Sequence, residues 1–250
     1  MNVVVDRLLT NYQLHGKGKL VLLLHGWGDD VKGLKGLIAD LAKDYQVLAV
    51  DLPGFGATER PKESWDLDDY AAFVSALLKK LDLPQPYAVI GHSNGGAIAI
   101  RAVSLGKVKP EKLVLIATSG VRTNNPAKRF ILKIIAKVGN VATFWLPERY
   151  RRALRERLYG VAGSDMLVIP ELQDTFKRTV RQDVQADAAA LDLPTLLIYA
   201  RDDKAIPIAD GKQYHSLIKG SRLEVIEGAG HFVHLDQPEK VTSLIKEFLK

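Results

Sequence analysis

The chain has 250 residues, 47% hydrophobic and 26% charged, proportions that suit one globular α/β domain with an insertion and exclude disorder. It contains no cysteine, which excludes disulfides, thiolate nucleophiles and cysteine-ligated metals. A net charge of +6 and a pI of about 9.3 admit acidic substrates, anionic membranes or nucleic acid as partners, but solubility alone accounts for such a charge.

Residues 3–5 and 8–14 read as two short strands around Asp6 and Arg7, followed by a turn at Gly16-Lys17-Gly18. The first ten residues lack a signal-peptide pattern, and no apolar run approaches the roughly 20 residues of a spanning helix. The chain is therefore expected in the cytoplasm, without stable membrane insertion. Residues 20–24 are continuously apolar, the pattern of a strand buried on both faces of a parallel sheet, and they deliver His25-Gly26-Trp27-Gly28 to the strand's carboxyl end. Leu34, Leu37, Ile38 and Leu41 recur at helical spacing; residues 46–50 return as a strand that ends in the turn Asp51-Leu52-Pro53-Gly54-Phe55-Gly56. Residues 65–81 form an amphipathic pattern, with Tyr70, Phe73, Val74, Leu77, Leu78 and Leu81 on one stripe.

The next stretch, Tyr87 through Gly96, is a strand driven straight into a helix. Gly91-His92-Ser93-Asn94-Gly95 fits the Gly-x-Ser-x-Gly elbow, in which the serine is expected at positive φ and the two glycines remove collisions around the sharp turn. Further buried strands are expected over 112–117, 194–200 and 222–226, and a closing helix over 241–249. Alternation of strands and helices predicts a doubly wound, mostly parallel sheet. That alternation stops between Gly120 and about Ala190, where helices are expected over 130–138, 147–158 and 170–187. The insertion leaves the carboxyl edge of the sheet, where ligands bind in open α/β folds, and is read as a helical lid. The core is then 1–120 and 191–250, with the lid at 121–190. There are no internal repeats.

A serine hydroxyl is a weak nucleophile at neutral pH, so it needs a base, and the base needs a carboxylate to hold its tautomer. Gly228-Ala229-Gly230-His231 follows the last strand and supplies the base, His231; Ala200-Arg201-Asp202-Asp203 follows the strand before it and supplies the carboxylate. Ser93, Asp203 and His231 stand in the order serine, acid, histidine. Developing negative charge on a carbonyl oxygen calls for fixed backbone N–H donors, worth about 3 kcal/mol each. Asn94 N–H, directly after the nucleophile at a helix N-terminus, is one candidate.

At these motifs the chain resembles the α/β-hydrolase superfamily over nearly its whole length. The resemblance rests on His25-Gly26-Trp27-Gly28, on Asp51 to Gly56, on Gly91 to Gly96, on Asp203 with Pro207, and on Gly230-His231. It implies an α/β-hydrolase fold with a helical lid, and Trp27 N–H as the second oxyanion donor. The family's acid is the fourth residue of a Gly-x-x-Asp loop; Ala200 stands where that glycine usually falls, and the count favours Asp203, leaving Asp202 as a solvated neighbour. The leading reading is a serine hydrolase that cleaves small to medium carboxylic esters through an acyl-enzyme, without cofactor or metal. A serine at the elbow argues against dehalogenase and epoxide-hydrolase relatives, which use aspartate. Carbon–carbon bond hydrolases of ring-cleavage products share the serine and the lid and stand as the alternative; a non-catalytic binding module of the same fold is the reading from another class. A nucleic-acid role has only the charge behind it.

Several conspicuous residues have plainer readings. His25 and His92 are expected to make structural hydrogen bonds, and Asp51 to form a turn. His234 lies three residues after His231, and no second histidine or carboxylate at metal-ligand spacing accompanies it. Arg149, Arg151, Arg152, Arg155 and Arg157 read as a solvated helical face, or else as an attraction for acidic substrates or an anionic surface. Phe130, Ile131, Phe144, Trp145 and Leu146 read as an acyl pocket or as lid core. Natural substrate, acyl length and oligomeric state are not legible.

Overall fold

A computed structural model of the protein describes residues 1–122 and 170–250. The expected helices over 130–138 and 147–158, with the arginines from Arg149 to Arg157 and the apolar set from Phe130 to Leu146, lie outside the described residues. In chain order the strands are β1 (Asn2–Val5), β2 (Leu8–His15), β3 (Leu20–Leu24), β4 (Gln46–Val50), β5 (Ala88–His92), β6 (Lys112–Ile116), β7 (Thr195–Ala200) and β8 (Arg222–Ile226). The helices are α1 (Lys35–Leu41), α2 (Leu67–Lys80), α3 (Asn94–Ser104), α4 (Gln173–Arg181), α5 (Gln185–Ala189), α6 (Ile208–Leu217), α7 (Val233–Asp236) and α8 (Pro238–Leu249).

The strands form one sheet in the order β1-β2-β4-β3-β5-β6-β7-β8. β1 and β2 are antiparallel, joined at Asp6 and Arg7, both at positive φ, and β2 runs antiparallel to β4. All further pairings are parallel. Helices cover both faces, which is why β3 is buried at every position. Alternate residues divide between two cores: Leu22, Leu24, Leu48, Val89 and Leu115 face α2 and α3, whereas Val21, Leu23, Val47, Ile90 and Val114 pack with the Leu37, Ile38 and Ile245 side of α1 and α8. Parallel register brings Leu24, Val50 and Gly91 level, so the loops after β3, β4 and β5 emerge at one edge.

α2 runs over Leu67–Lys80, inside the expected 65–81, and Asp66 sets its start. Asp66 accepts from the N–H groups of Asp68 and Asp69, and the Asp69 carboxylate accepts from Asp66 N–H, a reciprocal cap that satisfies donors the first turn would otherwise leave bare.

Further details depart from the sequence reading, among them the short helix α7. The helix expected over 170–187 is a 3₁₀ turn at Pro170–Leu172 followed by α4 and α5. The break occurs because Gln182 turns extended and its side-chain oxygen accepts from Leu67 N–H at 2.7 Å, while Val184 N–H reaches Gly120 O at 3.1 Å. α6 is an element the apolar periodicity does not disclose, since its buried face is Asp210, Gly211 and Tyr214 rather than a row of aliphatic side chains. The closing helix begins at Pro238, three residues earlier than expected, with proline in the first turn, where its missing N–H costs nothing.

Candidate active site

β5 ends at His92, and Ser93 follows at φ 52° and ψ −117°, the strained conformation the elbow requires. Neighbouring backbone permits it only because side chains are missing. A Cβ on Gly91 would lie 2.6 Å from the Gly95 carbonyl oxygen, and one on Gly95 would lie 2.5 Å from the His25 carbonyl oxygen. The turn is pinned by Ser93 N–H to Ile116 O at 2.9 Å, and Ser93 O accepts from Gly96, Ala97 and Ser119 N–H. Ser93 thus caps α3, with the positive end of that helix beneath it.

The loops after β7 and β8 bring two further groups to the same place. His231 Nε2 is 3.0 Å from Ser93 Oγ, and His231 Nδ1 is 2.8 Å from Asp203 Oδ2. A carboxylate only accepts, so Nδ1 carries the proton, and Nε2 presents its lone pair to the serine hydroxyl. Asp203 Oδ1 accepts from the N–H groups of Ala205 and Ile206 at 2.8 and 2.9 Å. With its side chain 0% exposed, the carboxylate is fixed on both oxygens. Asp202 beside it is exposed.

The chain matches the model of the alpha/beta hydrolase family over residues 21–244. The chain belongs to that family. It is 27% identical over 268 residues to a 2-hydroxymuconate semialdehyde hydrolase of a Pseudomonas species, covering 99% of this chain and 92% of the relative. Among solved structures it resembles a thermophilic esterase of Thermogutta terrifontis, with TM-score 0.76 and 23% identity over 100% of this chain and 97% of that one. It also resembles the meta-cleavage product hydrolase of Pseudomonas fluorescens IP01, with TM-score 0.75 and 23% identity over 99% and 96%. At such identities the two structures speak for the fold.

The remaining expected donors of this alpha/beta hydrolase sit beside the serine. Trp27, in the loop after β3, and Asn94, first residue of α3, both line a pocket of about 110 Å³ with Ser93 and His231. Their backbone N–H groups donate to no described residue. The Trp27 indole packs edge-on between Phe55, 4.9 Å away, and Phe176, 5.0 Å away, so the ring is core while its backbone borders the site.

Phe176, Thr179 and Val180 of α4 also line that pocket, with Ser119, Ala205 and Ile206. Sequence reasoning assigned them no role. For the three α4 residues the sequence signal is their helical position in the region after Gly120; what aims them is docking, through Trp65 N–H to Thr175 Oγ1 at 3.1 Å and Arg178 to Asp66 at 3.1 Å.

His25, Asp51 and one ring nitrogen of His92 make the hydrogen bonds that their plainer readings expect. His25 Nδ1–H donates to Gly26 O at 2.7 Å, and Nε2 accepts from Leu52 N–H at 2.9 Å, so the ring staples the loop after β3 to the loop after β4. Burial pulls its pKa below the ordinary value. Asp51 is buried and accepts from Val31, Ala57 and the Asn11 side chain, which makes it the organiser of its turn. His92 Nε2–H donates to the carbonyl of His231 at 3.0 Å. Burial drives His92 well below the usual imidazole range and His234 down to about 4. No spacing along the chain joins these two rings with Asp29, yet the fold does so: single donor atoms of Asp29, His92 and His234 lie within 4.8 Å of one another.

Proposed function

We propose that this alpha/beta hydrolase cleaves carboxylic esters of small to medium acyl or aryl substrates, with Ser93 as nucleophile, His231 as general base and Asp203 as its orienting carboxylate. The observation that carries the proposal is the continuous hydrogen-bonded chain from Ser93 Oγ through the His231 ring to Asp203, at 3.0 and 2.8 Å. In the first half-reaction Ser93 Oγ bonds to the carbonyl carbon as its proton passes to His231 Nε2. Asp203, buried and hydrogen-bonded to Nδ1–H, steadies the imidazolium that results.

The carbonyl oxygen, now negative, is received by the N–H groups of Trp27 and Asn94, each worth about 3 kcal/mol in such a role. Collapse of the adduct breaks the ester C–O bond, and the leaving alcohol takes the proton from His231. Water then attacks the acyl carbon, gives its proton to Nε2, and the acid departs as Ser93 Oγ recovers that proton. No cofactor or metal enters these steps. Trp27, Phe176, Val180 and Ile206 supply an apolar wall for the acyl or aryl group. We place this activity on a small molecule in the cytoplasm, with no nucleic-acid partner and no stable membrane insertion. Among the described residues no helix is long and apolar enough to cross a membrane.

A panel of aryl esters graded by acyl length, run with wild type and Ser93→Ala, tests the reading. The variant should lose at least about 10⁴-fold in kcat/KM; undiminished turnover by Ser93→Ala would falsify the mechanism. An active-site phosphonate should label Ser93, and failure to label the folded protein would return the chain to the class of binding modules.

A second reading, hydrolysis of a carbon–carbon bond in a ring-cleavage product, draws on the likeness to the semialdehyde hydrolase, at 27% identity. Faster consumption of a ring-cleavage dienoate than of any aryl ester would favour it.

A further inference from the structure

Among the described residues, seven buried side-chain nitrogen or oxygen atoms have no hydrogen-bond partner, and four of them belong to one cluster: Asp29 Oδ2, His92 Nδ1 and both ring nitrogens of His234. Leaving a buried polar atom unsatisfied costs free energy. Although the Gly33 backbone also approaches the His234 ring, four such atoms together leave donors and acceptors that the chain's own groups do not match well. The three residues arrive from separate parts of the fold: the loop after β3, the last residue of β5, and α7. His92 and His234 are 2% and 5% exposed, and their ring centroids are 4.7 Å apart with the planes at 66°.

We propose that Asp29, His92 and His234 form a binding site for a divalent transition-metal ion, zinc being the ion that their donors suit. Two imidazoles and one carboxylate are a donor set for zinc, whereas calcium and magnesium take oxygen ligands almost exclusively. Tetrahedral donors at roughly 2.0–2.2 Å from an ion stand about 3.4 Å apart. The present spacing, within 4.8 Å, therefore contracts by up to about 1.4 Å on binding, a movement within reach of side-chain rotation. A water fills the fourth position.

Two of the donors are already oriented by groups behind them. His92 Nε2–H is held by the His231 carbonyl at 3.0 Å, which leaves the lone pair on Nδ1, the usual way in which a backbone carbonyl sets a metal-binding imidazole. Asp29 Oδ1 accepts from Asp30 N–H at 2.8 Å, which leaves Oδ2 for the ion. A bound ion joins the loop after β3 to the segment that carries His231. Its role is to stabilise that junction, and it is independent of whether Ser93 acts on esters.

The test uses full-length protein stripped with a chelator, dialysed against zinc, and read by metal analysis and thermal unfolding. Wild type and Ser93→Ala should each retain about one zinc per chain and unfold at a higher temperature with it. Cobalt in place of zinc should give the visible absorption of a four-coordinate ion. His234→Ala and Asp29→Asn should retain less than about one-tenth of an equivalent, and His15→Ala and His215→Ala, at exposed histidines, should bind as wild type does. Asp29, on a loop and only partly buried, decides the matter if His234→Ala does not fold. The proposal is overturned if wild type keeps no zinc, which would assign the cluster to buried water, or if Asp29→Asn keeps as much as wild type. Loss of zinc in the His15 or His215 variant instead would overturn it equally. Because binding is read in Ser93→Ala as well, failure of the ester reading and failure of this one are separate results.

Discussion

Asp203→Asn is the substitution whose consequence the geometry specifies most fully. The two amino-acid side chains have the same shape, so the amide occupies the carboxylate's place, and only its orientation is open. Two backbone donors settle that orientation. Ala205 and Ile206 N–H both point at Oδ1, at 2.8 and 2.9 Å, so the amide must keep its oxygen there; the flipped amide would set an NH₂ against two N–H groups. Its NH₂ therefore faces His231 Nδ1, 2.8 Å away. Nδ1 must then accept, the ring proton moves to Nε2, and Ser93 faces a donor where the proposed mechanism calls for a base.

In Ser-His-Asp sites this wrong-tautomer state lowers kcat by about 10⁴, equivalent to about 5.5 kcal/mol of transition-state stabilisation. Because both backbone hydrogen bonds to Oδ1 survive, folding should be little affected. The assay is aryl-ester kcat/KM for wild type, Asp203→Asn and the exposed neighbour change Asp202→Asn, with thermal unfolding of all three. The reasoning is refuted if Asp203→Asn stays within about tenfold of wild type, or if Asp202→Asn is the damaging change.

Two further outcomes concern the frame around the site. Gly95→Ala pushes a methyl group against the His25 carbonyl, 2.5 Å from the ideal Cβ; neither backbone can yield cheaply, so a cost of about 2–3 kcal/mol is expected, seen as a melting point lowered by about 5–10 °C. An unchanged melting point would mean that the elbow tolerates expansion. His25 is buried and neutral in the folded state because burial pulls its pKa down, whereas in the unfolded chain it titrates near 6.5. The unfolded state thus binds the extra proton as pH falls below about 6.5, so this group's contribution is complete above that pH and is lost progressively below it. In urea titrations, His25→Gln should flatten the rise of stability with pH just below 6.5 by up to about 1.4 kcal/mol per pH unit; an unaltered slope would contradict the assignment.

Much of this protein is local information, and the sequence alone determines it. Short continuous apolar runs such as 20–24 and 47–50, bounded by turn residues, read as strands buried on both faces, and the glycines flanking Ser93 read as relief for a sharp turn. The order of Ser93, Asp203 and His231, each just past a strand, is enough to nominate them, because parallel strands send every such loop to the same edge. Other decisions required side chains from distant parts of the chain to meet. Asp202 and Asp203 are adjacent and chemically identical, and only the direction of the loop buries one and exposes the other. The single helix expected over 170–187 breaks because Gln182 and Val184 find better partners in Leu67 and Gly120 than helix continuation offers. α6 carries no periodic signal, since its contact face includes a glycine that lies against the Tyr199 ring. His92 and His234 read as isolated histidines along the chain and share a buried cluster with Asp29 in space. Pattern along a chain encodes burial and turns, whereas convergence of polar groups depends on long-range packing that no local pattern records.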